Sequence, residues 1–129
     1  MKTLHEQLNE LEKNKYVIKE LENKIFKFIN QKDIKQTINK ALKEEYIEVY
    51  SNIGTKHIEL ERKFVLDQTI FESRYYYRFM IEEDNNSLIC LDIVPTLFKQ
   101  KLNVNIYTYK QDTITEKEVI DLLTLVLGI

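Results

Sequence analysis

Near residue 46 the spacing of apolar residues changes from three or four to two, which confines the chain to helices before that point and strands after it. Ahead of it, Leu4, Leu8, Leu11, Ile18, Leu21, Ile25 and Phe28 follow at helical steps, with Lys15 in the single gap. No Pro or Gly interrupts residues 3–30. This is one stripe of a long amphipathic helix. It is narrow up to Tyr16 and widens where Val17, Phe26 and Ile29 join it. The second half is therefore expected in the core, and the first half is expected to project or pair. A second helix is expected over 33–45, with Ile34, Ile38, Ala41 and Leu42 inward and Asp33 or Asn30 as its cap. The break between the two is soft, and one continuous helix is an alternative.

Beyond the change, strands are expected at 46–50, 57–67, 71–82, 88–94 and 102–110, with turns at 51–55 and 83–87. Ile58, Leu60, Arg62, Phe64 and Leu66 share one face of the second strand, and Phe71, Tyr75, Tyr77, Phe79 and Ile81 one face of the third. The fourth is the most apolar, so it is expected to be central or covered on both faces, and Pro95 ends it. Thr115-Glu116-Lys117-Glu118 has the pattern of a capping box and opens a last helix over 115–127 that stops at Gly128. Short turns between successive strands favour an antiparallel meander, because parallel neighbours need a crossover of a dozen or more residues. The expectation is one α+β domain over 1–129: a helical pair at 1–45, a five-stranded antiparallel sheet at 46–110 and a C-terminal helix. Phe64, Phe79, Leu91, Ile106 and Leu123 are expected in its core.

Groups suited to catalysis are scarce. Gly54 and Gly128 are the only glycines, which leaves no phosphate-cradling loop and no dinucleotide fingerprint. His5 and His57 have no metal-ligand spacing, and Cys90 is the single cysteine, so neither an intrachain disulfide nor a thiolate zinc cluster can form. Glu61-Arg62-Lys63 has the acid-x-Lys spacing of magnesium-dependent nucleases, but the turn ahead of it offers Asn52 where an acid is needed. Glu59, Glu61 and Lys63 are more simply a solvated strand face. No enzyme activity, cofactor or metal is expected.

Binding features are more numerous. Arg74, Tyr76 and Arg78 fall on one strand face, where bases could stack and phosphates pair, with Tyr107 and Tyr109 as an extension. The plainer alternative is cross-strand pairing of the arginines with Glu59, Glu61 or Glu72. The net charge of −2 divides unevenly: residues 1–44 hold ten Lys against seven acids, and residues 45–129 nine basic residues against fourteen acids. Lys24, Lys27, Lys32, Lys35, Lys40 and Lys43 face only Asp33 across twenty residues, enough for weak phosphate attraction or merely a solvated face. Leu4, Leu8 and Leu11 form a narrow seam of the kind two helices use against each other, among Glu6, Glu10, Glu12 and Lys13.

No apolar run approaches the length of a membrane span and no signal peptide is evident, so a cytoplasmic protein is expected. Lys far outnumbers Arg, Ala occurs once and Trp is absent. That bias follows AT-rich codons and points to an AT-rich bacterium or one of its phages or mobile elements. The function expected is a non-catalytic protein-binding module, a regulator or inhibitor, that also forms a homodimer. The alternative is weak, salt-sensitive nucleic-acid binding through the helix lysines or the Arg/Tyr strand face.

Overall fold

The structure is a computed structural model that describes residues 1–42, 48–67, 72–96 and 101–129, with the side chains of 65–67 and 72–74 outside the description. Its elements run α1 (Leu4–Ile29), α2 (Lys32–Leu42), β1 (Glu48–Ile53), β2 (Lys56–Asp67), β3 (Glu72–Glu83), β4 (Asn86–Pro95), β5 (Leu102–Tyr109) and α3 (Glu116–Leu127). The five strands form one antiparallel sheet in sequence order. This is the α+β architecture expected, and no helix is long and apolar enough to cross a membrane.

At both hairpins the strands run further into the turn than expected, for the same reason. β1 continues to Ile53 and β3 to Glu83, each closing on a turn of two residues instead of the longer turns expected. Gly54 takes a φ of 61°, and Asp84 and Asn85 take 51° and 64°. At Asp84-Asn85 positive φ at both central residues matches the right-handed twist of the flanking strands, and at Gly54-Thr55 the glycine supplies it at the first central position; Asp and Asn tolerate it better than other non-glycine residues. Residues 43–47, including the start of the first expected strand and Lys43, lie outside the described residues.

The helices lie on one face of the sheet. Ile58 and Leu60 of β2, Tyr77, Phe79 and Ile81 of β3, Ile89, Leu91 and Ile93 of β4, and Leu102 and Val104 of β5 turn inward. Against them pack Leu21, Ile25 and Ile29 of α1, Ile34 and Ile38 of α2, and Val119, Leu122 and Leu123 of α3. Phe79, Leu91 and Leu123 are buried as expected, and Ile106 packs partly buried against this core. Phe64 does not belong to it: the residue is 58% exposed and meets only the edge of Tyr75 among the described rings. The central strand is β3, not the more apolar β4, which is second from the edge.

Side-chain caps set the helix ends. Thr3 and Glu6 form a reciprocal capping box at the start of α1. α1 and α2 are separate helices, because Asn30 leaves helical geometry and turns its amide to the sheet edge. Its Nδ2 donates to the carbonyls of Phe26 (2.8 Å) and Leu102 (3.2 Å), and its Oδ1 accepts from the Leu102 N–H (3.5 Å). Glu22, two turns earlier, accepts from the Ile106 N–H (3.1 Å). β5 is an edge strand, so α1 supplies partners for backbone groups that no strand reaches. At α3, Thr115 accepts from the Glu118 N–H, but the Glu118 carboxylate goes to Lys56 of β2 (2.5 Å) instead of completing the expected box, and Glu116 reaches Lys24 of α1 (2.5 Å).

Asn30→Ala removes the contact with Leu102 and a helix cap together, and is expected to cost about 1–2 kcal/mol in chemical denaturation. A change within a few tenths of a kcal/mol would mean that water serves the β5 edge equally well.

Candidate functional site

Among the described residues two surfaces are left without cover: the first half of α1 and the sheet face opposite the helices. Every residue from Met1 to Tyr16 is exposed, with Leu4 at 73%, Leu8 at 51% and Leu11 at 58%. Burial begins at Val17 and Ile18, where the apolar stripe widens. At 1.5 Å per residue the projecting part of the helix is roughly 20 Å long. Among the described residues the seam meets nothing of the core.

The open sheet face is polar and aromatic. At its middle Asp92, only 3% exposed, receives two hydrogen bonds from Arg78, from Nε (2.9 Å) and from Nη2 (3.1 Å). The carboxylate holds Arg78 as a cation by raising its pKa further above the ordinary range. The guanidinium carbon lies 5.8 Å from the ring centroids of both Tyr76 and Tyr107. Burial, and then the Asp92 charge, push the Tyr107 hydroxyl pKa up. Tyr76, Arg78 and Tyr107 are thus brought together, while Tyr109 belongs to the rim of the core and the Arg74 side chain lies outside the described residues. The cross-strand pairing expected of Arg78 with a β2 glutamate gives way to Asp92: Glu61 stands directly opposite Arg78 but pairs with Lys63 (2.8 Å). Sequence reasoning passed over Asp92, whose only signal is an acid inside the most apolar strand.

Toward the β1 side of this face, carboxylate oxygens of Glu48, Glu59 and Glu61 lie within 4.8 Å of one another. Glu48 faces Glu61 across the hairpin, so the upstream acid missing from the turn is supplied by the start of β1. Burial, then the neighbouring Glu61 charge, raise the Glu59 pKa. His57 stacks on Tyr50 (5.8 Å between centroids) and bonds Asn52 (2.8 Å). Cys90 sits half-buried on the same face, its thiol pKa raised mainly by burial, which makes it a poor nucleophile.

On the helix side, past the end of the core, the Arg62 guanidinium carbon lies 3.7 Å from the centroid of the Tyr75 ring, and Tyr75 meets Phe64 edge-on. Arg62 Nε and Nη1 are shut off from solvent with no hydrogen-bond acceptor among the described residues. Of the helix lysines, Lys24 is committed to Glu116, while Lys32 is exposed and Lys35 half-exposed on α2.

Comparison with protein-family models, with curated proteins and with solved structures finds no match to this chain.

Two substitutions test this electrostatic arrangement. Asp92→Ala leaves Arg78 without its counter-charge and should cost about 2–3 kcal/mol by denaturation, less than for a fully buried pair because Arg78 keeps part of its side chain in water. An unchanged midpoint would make the pair incidental. Glu59 is disfavoured as an anion in the folded state, so its charge costs stability at neutral pH, and the cost vanishes as pH falls through the raised pKa. Glu59→Gln should therefore stabilise the protein by about 0.5 kcal/mol near pH 7, with the gain fading in acid. Loss of stability at pH 7 would show the carboxylate to be favourably placed.

Proposed function

We propose that this chain is a non-catalytic protein-binding module, of the regulator or inhibitor kind, and that its projecting N-terminal helix pairs with that of a second copy. The observation that carries the reading is the exposure of Leu4, Leu8 and Leu11 on a helix that leaves the core before reaching them. With Lys15 and Ile18 they continue at alternating steps of four and three, the spacing of a two-helix seam. An antiparallel pairing centred on Leu11 keeps the two Lys15 ammoniums roughly 12 Å apart along the axis, where a parallel one sets them face to face.

The seam is under two heptads long, so the dimer is weak. Three leucines contribute about 1.5–3 kcal/mol each when fully buried, and association entropy takes back a large share. The nucleic-acid alternative has less in its favour: Arg78 is engaged by Asp92, and the open face around it carries the acids Glu48, Glu59 and Glu61.

Light scattering should find a dimer for the full chain at high micromolar concentration and a monomer when Leu4, Leu8 and Leu11 are all changed to Ser. The melting temperature of the dilute variant should stay unchanged, since these side chains touch no core. A full-length chain that is monomeric at high micromolar concentration ends the dimer reading.

A further inference from the structure

The two edges of the sheet are treated differently. β5 is served by Glu22 and Asn30 from α1. β1 pairs only with β2, and among the described residues no side chain or backbone group bonds to its outer edge. In a two-residue hairpin the closing pair, here Ile53 and Lys56, is hydrogen-bonded and the pattern then alternates. Glu48, Tyr50 and Asn52 therefore direct their N–H and C=O groups outward. The strand is six residues long and lacks the usual edge guards, having no Pro, no Lys and no bulge.

Side chains on the two faces beside this edge differ in kind. On the helix side Val49 and Ile53 remain 36% and 37% exposed, at the rim of the apolar layer. On the open side stands the Glu48, Glu59 and Glu61 group, with only Lys63 bonded to it among the described residues and His57 close by, and the ring of Tyr50 is 53% exposed. A strand laid along β1 at the usual spacing of about 4.8 Å would alternate its side chains between these two surfaces.

We propose that the outer edge of β1 takes up an extended segment of another protein as a sixth strand, a segment whose residues alternate basic and apolar. Backbone hydrogen bonds to Glu48, Tyr50 and Asn52 hold it, its basic side chains lie over the carboxylates and Tyr50, and its apolar ones cover Val49 and Ile53. A second copy of β1 fits poorly, since Glu48-Val49-Tyr50-Ser51-Asn52-Ile53 repeats the acid and contains no base. This interface is separate from the α1 seam and does not rest on it.

The test uses the full chain and labelled eight-residue peptides followed by fluorescence anisotropy. A peptide alternating lysine and valine should bind at least tenfold more tightly than its glutamate–valine counterpart. It should also bind at least tenfold more tightly than the same peptide N-methylated on the residues whose N–H groups face β1. Tyr50→Pro removes an outward N–H while sparing the bonds to β2, and should abolish binding. Glu48→Gln combined with Glu61→Gln should weaken it severalfold and reduce its salt dependence, which keeps the idea testable if the proline variant misfolds. The Leu4/Leu8/Leu11→Ser chain should bind as well as the parent, so failure of the dimer reading leaves this result standing. Failure of the lysine–valine peptide to bind at high micromolar concentration overturns the proposal. So does binding indifferent to N-methylation and to the glutamines, and so does a dimer of the full chain that Tyr50→Pro dissociates, which would assign the edge to a second copy.

Discussion

Tyr77, Phe79 and Ile81 are completely buried on the middle strand, and the need to cover them decides where the rest of the molecule lies. Five strands at about 4.8 Å span roughly 19 Å between their outer axes, while a helix with side chains is about 10 Å across. Two helices side by side, α1 and α3, thus span most of that width, and α2 adds Ile34 and Ile38 to the same layer. With α1 drawn to the β5 edge by Glu22 and Asn30, α3 falls toward β2, tied there by Lys56 and Glu118 and to α1 by Lys24 and Glu116. The helical layer then ends short of β1, which is why Val49 and Ile53 are left at its rim.

The same arrangement explains the opposite face. With no helix of the described residues over it, alternation puts Tyr50, His57, Glu59, Glu61, Tyr76, Arg78 and Tyr107 where water can reach them, and large side chains bury what lies beneath. Asp92 is inaccessible, with Arg78 bonded to it and flanked by Tyr76 and Tyr107. A carboxylate so enclosed needs hydrogen bonds in place of water, and the two-pronged contact from Arg78 meets that need. One buried acid therefore accounts for the orientation of the whole aromatic cluster.

The period change near residue 46, the alternation along β2 and β3 and the capping pattern before Glu116 made the fold class and the elements legible in the sequence. What escaped were features set by contacts distant in the chain. Phe64 continues the inward row of Ile58 and Leu60, and nothing local reveals that it stays exposed. Glu48 acquires its relation to Glu61 only through the hairpin register, and an acid search confined to the turn found Asn52. Which edge would be sealed depended on Asn30, which reads in the sequence as an ordinary helix cap and turns out to hold Leu102 as well. The candidate seam was the more legible of the two uncovered surfaces, because narrowness of the stripe ahead of Tyr16 is itself a statement that little is buried there.

That seam also raises a physical question: why an unpacked half-helix should stay helical. Forming the first turn is the costly step of helix formation, and isolated helices of this length are marginal in water. Here Leu21, Ile25 and Ile29 are fixed in the core, so the nucleus already exists and each preceding residue adds a hydrogen bond at little further cost. The Thr3–Glu6 capping box satisfies donors at the far end. The leucines are consequently held in a rigid row away from the body instead of collapsing onto it. Gln, Lys or Glu at positions 4, 8 and 11 would sustain the helix nearly as well and would avoid an exposed apolar strip. Helix formation alone therefore gives no reason for leucine at all three, whereas a partner helix does.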